Sequence, residues 1–112
     1  MKKYLVVYHA PPAFTEKMRA MNQDEMMAEM GRWQTWMEEI GDGMLDGGNP
    51  LFGGQKVMKS STDNSTREVT GYSMIQAASM EDAVKLLDGH PHLAMDDSCS
   101  IEIHEAAPAP GQ

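Results

Sequence analysis

Apolar and polar positions change their period several times along the chain, and each change marks an element. Tyr4-Leu5-Val6-Val7-Tyr8 is a β-branched and aromatic run that predicts a first strand over 4–9, stopped by Ala10-Pro11-Pro12. From Asp24 to Ile40 the residues Met26, Met30, Trp33, Met37 and Ile40 recur at steps of four and three. That spacing lines one face of a helix, with Asn22 or Asp24 as its cap and Gly41 or Gly43 as its stop. Met44-Leu45-Asp46 opens a second strand, which Gly47-Gly48-Asn49-Pro50 breaks and 55–59 resumes. The run 60–66 holds no apolar residue and predicts an exposed hairpin loop. A third strand follows over 71–77. Ser79 then caps a second helix with Glu81 and Asp82 in its first turn and Ala83, Val84, Leu86 and Leu87 on its apolar face. Gly89 and Pro91 end that helix. Alternation of Cys99, Ile101 and Ile103 with Ser100, Glu102 and His104 predicts a last, half-buried strand.

The order β-α-β-β-α-β predicts an α+β protein on the ferredoxin-like plan, an antiparallel sheet with two helices on one face. Alternation assigns Leu5, Val7, Ile75, Cys99, Ile101 and Ile103 to the helix side. The other face then carries Tyr4, Val6, Tyr8, Tyr72, Met74, Gln76, Ser100, Glu102 and His104. A face of that composition is too apolar for water and calls for a second subunit or a ligand, a homodimer being the preferred cover. Residues 1–105 read as a single domain and 106–112, with two prolines and a glycine, as an extended C-terminal tail.

Charge narrows the partners. Seventeen acidic against nine basic residues leave a net charge of −8, which argues against nucleic acid and anionic membrane surfaces. The apolar run after Met1-Lys2-Lys3 is too short for a signal peptide and nothing approaches the roughly 20 residues of a bilayer span, so a cytoplasmic location is expected. Cys99 is the single cysteine, which excludes an intrachain disulfide and a cysteine-based zinc site and suits a core position. Twelve methionines first suggest Cu(I) handling by thioethers. Placing Met26, Met30 and Met37 on one helical stripe makes them core filler or a deformable pocket wall instead, leaving Met18, Met21 and Met27 without a structural role. No cofactor is expected.

In this order and spacing the chain resembles the YCII-related proteins over nearly its whole length. The resemblance is carried by Lys3-Tyr4-Leu5-Val6-Val7-Tyr8, Gly43-Met44-Leu45, the strand from Gly71 to Ala77 and Met80-Glu81-Asp82-Ala83. Gly89-His90-Pro91-His92-Leu93 and Ile101-Glu102-Ile103 complete it. It implies a dimeric α+β barrel with a pocket between helices and sheet, without implying one reaction. In better-understood relatives a His–Asp pair is proposed to act. Here Arg32 stands at the first of those positions and His90 at the second, and a guanidinium cannot serve as a general base near neutral pH.

Topology independently gathers His9, His90 and His92 at one end of the sheet, beside Tyr72, Asp96 and Asp97. A workable chemistry has Arg32 clamping an oxygen of a small anionic organic ligand while His90 moves a proton, with His9, His92, Tyr72 and Trp36 lining the site. Alternatively, Arg32 pairs with Asp96 or Asp97 and the histidines fill a loop. A divalent metal on His90 and His92 has no recognised spacing behind it, and neither an EF-hand nor a phosphate loop is present, so no metal ligand is assigned. The functional expectation is a small-molecule enzyme or binder. The competing one is a non-catalytic homodimeric interaction or regulatory module.

Overall fold

A computed structural model describes residues 1–110. Its main sheet has four strands, β1 (Lys2–His9), β2 (Met44–Asp46), β5 (Val69–Ala77) and β6 (Ser100–Glu105). They lie in the order β2-β5-β1-β6 with every neighbouring pair antiparallel. The long helix α2 (Gln23–Ile40) and the shorter α3 (Met80–Leu86) complete an α+β architecture compatible with a ferredoxin-like fold. Local chemistry sets these helices. The Asn22 carboxamide accepts from the Glu25 N–H at 2.8 Å and the Ser79 hydroxyl from that of Asp82 at 3.1 Å, each capping the helix it precedes. Gly41 ends α2 at φ 59°, a backbone conformation that suits glycine.

Two helices lie outside the predicted set. The short helix α1 (Pro12–Arg19) follows β1, and α4 (Pro91–Met95) follows α3. Both open on a proline, which terminates what precedes it and is well suited to the first helical turn. The resumed second strand is also redistributed. β3 (Gln55–Val57) and β4 (Thr62–Asn64) pair only with each other, so the polar run supplies a strand of a separate hairpin.

The two faces of β1 are the reverse of the expectation. Tyr4, Val6 and Tyr8 are buried beneath the helices with Ile75, Ala77, Ala83, Leu87 and Trp36, while Leu5, Val7 and His9 stand on the uncovered face. With apolar side chains at every position from Tyr4 to Tyr8, alternation within β1 does not discriminate its faces. Its pairing does, because Val6 opposes Ser73 and Ile103 and Tyr8 opposes Ile101. The uncovered face therefore carries Leu5, Val7 and His9 beside Tyr72, Met74 and Gln76, as well as Glu102 and His104. Cys99 packs in a small second core with Ala10 and Phe14.

The radius of gyration, 15.5 Å, exceeds the about 13 Å of a compact chain of this length. The excess is consistent with the β3–β4 hairpin standing off the sheet, with Phe52 and Val57 exposed, and with the N-terminal half of α2 extending past the core. Ala106 to Pro110 are exposed and hold no helix or strand, and the remainder of the expected tail lies outside the described residues. Among the described residues no helix is long and apolar enough to cross a membrane.

Candidate functional site

A chain of buried hydrogen bonds runs from α4 to the loop after β2. His90 precedes Pro91, so its side chain is free to cap α4: its Nδ1 accepts the backbone N–H of His92 at 2.9 Å. An accepting Nδ1 leaves the proton on Nε2, which donates to the Tyr8 hydroxyl at 3.1 Å. Tyr8 in turn donates to Ser73 Oγ at 2.8 Å, and Ser73 donates to the Gly47 carbonyl, also at 2.8 Å. Every donor along this path has one acceptor, and the path ends on a carbonyl that has no proton to pass on. His90 and Ser73 are fully buried and Tyr8 nearly so. Burial, with the neighbouring His92 adding to it, pulls the His90 pKa down to about 3, and burial pushes the Tyr8 pKa up to about 12 against the opposing bond to Ser73. Both groups are therefore neutral near physiological pH. Trp33 meets His90 edge-on at 4.6 Å and Tyr8 edge-on at 4.8 Å, and Trp36 lies 4.1 Å from His90.

Beside this relay lies a cleft of about 480 Å³. One wall is α2, through Met26, Met30, Trp33 and Met37, and the opposite wall is Tyr8, Tyr72 and the turn from Gly47 to Pro50. Met18, Met21 and Met95 close a third side and are shared with a neighbouring lobe of about 250 Å³ that also borders Phe14 and Lys17. The turn approaches β5 too closely for any side chain: at Gly48, φ 76°, a Cβ would lie 1.7 Å from the Tyr72 carbonyl oxygen. Glu29 borders both lobes. His92 reaches the cleft while its Nε2–H is shared between the carbonyls of His9 at 2.9 Å and Ser100 at 3.1 Å. Burial lowers the His92 pKa, partly offset by those two bonds.

The expected site residues divide. The structure brings His9, His90 and His92 together at one end of the sheet, as topology predicts, and Tyr72 and His92 border the cleft. Arg32 does not join them. It borders neither lobe, and its guanidinium holds Glu29 Oε1 through Nη2 at 2.8 Å and Nε at 3.1 Å, in place of Asp96 or Asp97. Both ring nitrogens of His90 are occupied, so no lone pair is free for a ligand proton. His9 turns away from the cleft toward Glu102, 3.5 Å from its Nε2. Trp36, expected to line the site, is instead core, its indole N–H bonded to the Leu86 carbonyl at 3.0 Å. Trp33 takes the lining place.

The residues missed by sequence reasoning are Tyr8, Ser73, Glu29 and the loose methionines Met18 and Met21. Their signal was weak, since a tyrosine in an apolar strand and a glutamate on a polar helix are ordinary. Comparison with family models gives no match, and comparison with curated proteins gives none either. The YCII-related likeness accordingly rests on the motif residues alone.

Proposed function

We propose that this protein is a small-molecule-binding domain of the YCII-related, ferredoxin-like type, working as a homodimer and taking a largely apolar ligand between α2 and the sheet. The observation that carries this reading is the cleft, about 480 Å³ with methionine and aromatic walls and a few polar groups. Methionine thioethers adapt to ligand shape, while the relay behind Tyr8 holds the opposite wall in one conformation. Binding is favoured over acid–base chemistry because Arg32 is spent on Glu29 outside the cleft and His90 is committed at both nitrogens. Among the described residues, the anion expected at Arg32 has no cation to meet it in the main lobe. Pairing of two copies through the uncovered face would bury Leu5, Val7, Tyr72 and Met74 and form the dimeric α+β barrel.

Titration with the neutral solvatochromic dye Nile red tests the proposal. Saturable binding near one dye per chain is expected, accompanied by a change in tryptophan emission. Met30→Asp, at a position 69% exposed, should weaken that binding at least about fivefold without unfolding the protein. Absence of saturable binding, or binding indifferent to Met30→Asp, overturns the reading.

A further inference from the structure

Charge is distributed unevenly around the cleft. Among the described residues Glu29 is the one charged side chain bordering the main lobe; Lys17 and Glu25 border the side lobe. Arg32 occupies Glu29 Oε1, but Oε2 is shielded from water and accepts no hydrogen bond from the described residues. The two partners differ in solvation: the Glu29 side chain is 18% exposed and that of Arg32 57%. Water thus screens the guanidinium, while the carboxylate keeps an uncompensated oxygen under an apolar shell. One turn along α2 from Glu29 stands Trp33, with Tyr8 bordering the same space, and aromatic rings attract cations. The chain's net charge of −8 biases encounter the same way.

Resting on the small-molecule reading above, we propose that the cleft selects lipophilic cations, organic molecules whose positive charge is delocalised or fully alkylated, over neutral or anionic molecules of the same shape. Such a charge needs no N–H to reach a shielded carboxylate oxygen. It interacts through space with Glu29 and through the rings of Trp33 and Tyr8, while its hydrocarbon surface packs on the methionines. A strongly hydrated ammonium or a metal ion would lose its water here without regaining hydrogen bonds.

Tetraphenylphosphonium and tetraphenylborate, near-isosteric ions of opposite charge, test the proposal by competition with Nile red. Wild-type protein should bind the phosphonium at least about tenfold more tightly than the borate, and Glu29→Gln should remove about tenfold of the phosphonium affinity while sparing Nile red. Glu39→Gln removes the same formal charge from an exposed position on α2 that borders neither lobe, and should change phosphonium affinity less than about twofold. Arg32→Gln frees Glu29 of its counter-ion and should tighten the phosphonium. Thermal melting verifies that each variant is folded. Equal or tighter binding of the borate overturns the inference, as does an equal effect of Glu29→Gln and Glu39→Gln, or weaker phosphonium binding in Arg32→Gln. If Nile red binds but the ions are not discriminated, the cleft survives and its charge preference falls. If neither Nile red nor either ion binds, the small-molecule reading itself falls.

Discussion

Trp36 and Met26 share one helix, yet the first is 5% exposed and the second 53%. Around Trp36 the helix rests on the sheet: Trp33, Met37 and Ile40 pack against the core, and the indole of Trp36 is tied to Leu86. Around Met26 it has left the sheet, and Met27 and Met30 are 63% and 69% exposed. The packed end combines aromatic contacts with a fully satisfied chain of buried hydrogen bonds, an arrangement that admits one conformation. The free end presents unbranched thioethers to an open cleft, an arrangement that admits many. A rigid wall opposite a yielding one is a means of holding varied apolar shapes at a fixed position. It also predicts that stability and binding are governed by different residues.

The largest stability effect should come from His90→Leu. Leucine fills much of the space but leaves the His92 N–H and the Tyr8 hydroxyl without their buried partner, a loss of about 3 kcal/mol. Urea unfolding measures it, and a loss below about 1 kcal/mol would mean that the relay does not rigidify this end of the molecule.

Acid should act through the same residue. The folded His90 pKa, about 3, lies below its ordinary value of 6.5, so between those values the unfolded chain binds the proton that the folded one refuses. Stability is therefore complete above about pH 6.5 and falls as pH drops toward 3, at up to roughly 1.4 kcal/mol per unit. His92, shifted in the same direction by burial, adds to the slope. Urea midpoints followed from pH 7 to about pH 4.5 should fall steeply in the wild type and much less in His90→Leu. Parallel curves would place the acid sensitivity elsewhere.

Tyr8→Phe sits between the extremes. It keeps the ring against Trp33 and removes the hydroxyl joining His90 to Ser73, at a cost of about 1–2 kcal/mol. Ser73 still reaches Gly47, so the cleft turn should remain in place. Thermal unfolding reads the loss, and Nile red affinity within about threefold of wild type would show that the wall has kept its shape.

Much of this division was legible in the sequence, for reasons that also explain what was not. The caps Asn22 and Ser79, the stop at Gly41 and the strands carrying Met44 and Ile101 follow from local chemistry that tertiary context did not override. The face of β1 did not, because its apolar side chains fit either side and only pairing with Ser73 and Ile103 decides. The gathering of His9, His90 and His92 followed from topology, whereas the commitment of both His90 nitrogens needed Tyr8, eighty-two residues away in sequence. The helical stripe of Met26, Met30, Trp33 and Met37 was real, but a stripe shows only that these residues share a face. How far along the helix that face stays covered depends on where the sheet ends, which no local pattern records. Arg32 was misplaced on the same ground, since its nearest acid, Glu29, lies on its own helix.

The smallest effect expected is also the finest test of the division. Met26 and Met27 are adjacent, similarly exposed and chemically identical, but Met26 borders the cleft and Met27 borders neither lobe. Glutamine keeps the length and helix propensity of methionine, so neither Met26→Gln nor Met27→Gln should move the unfolding free energy by more than about 0.5 kcal/mol. For Nile red the two should part: a few-fold loss for Met26→Gln, from the apolar contact surrendered, and none for Met27→Gln. Equal losses would mean that the whole free end of α2 acts as a nonspecific greasy surface. A loss confined to Met26 would mean that one face of it, and not its methionine content, forms the wall.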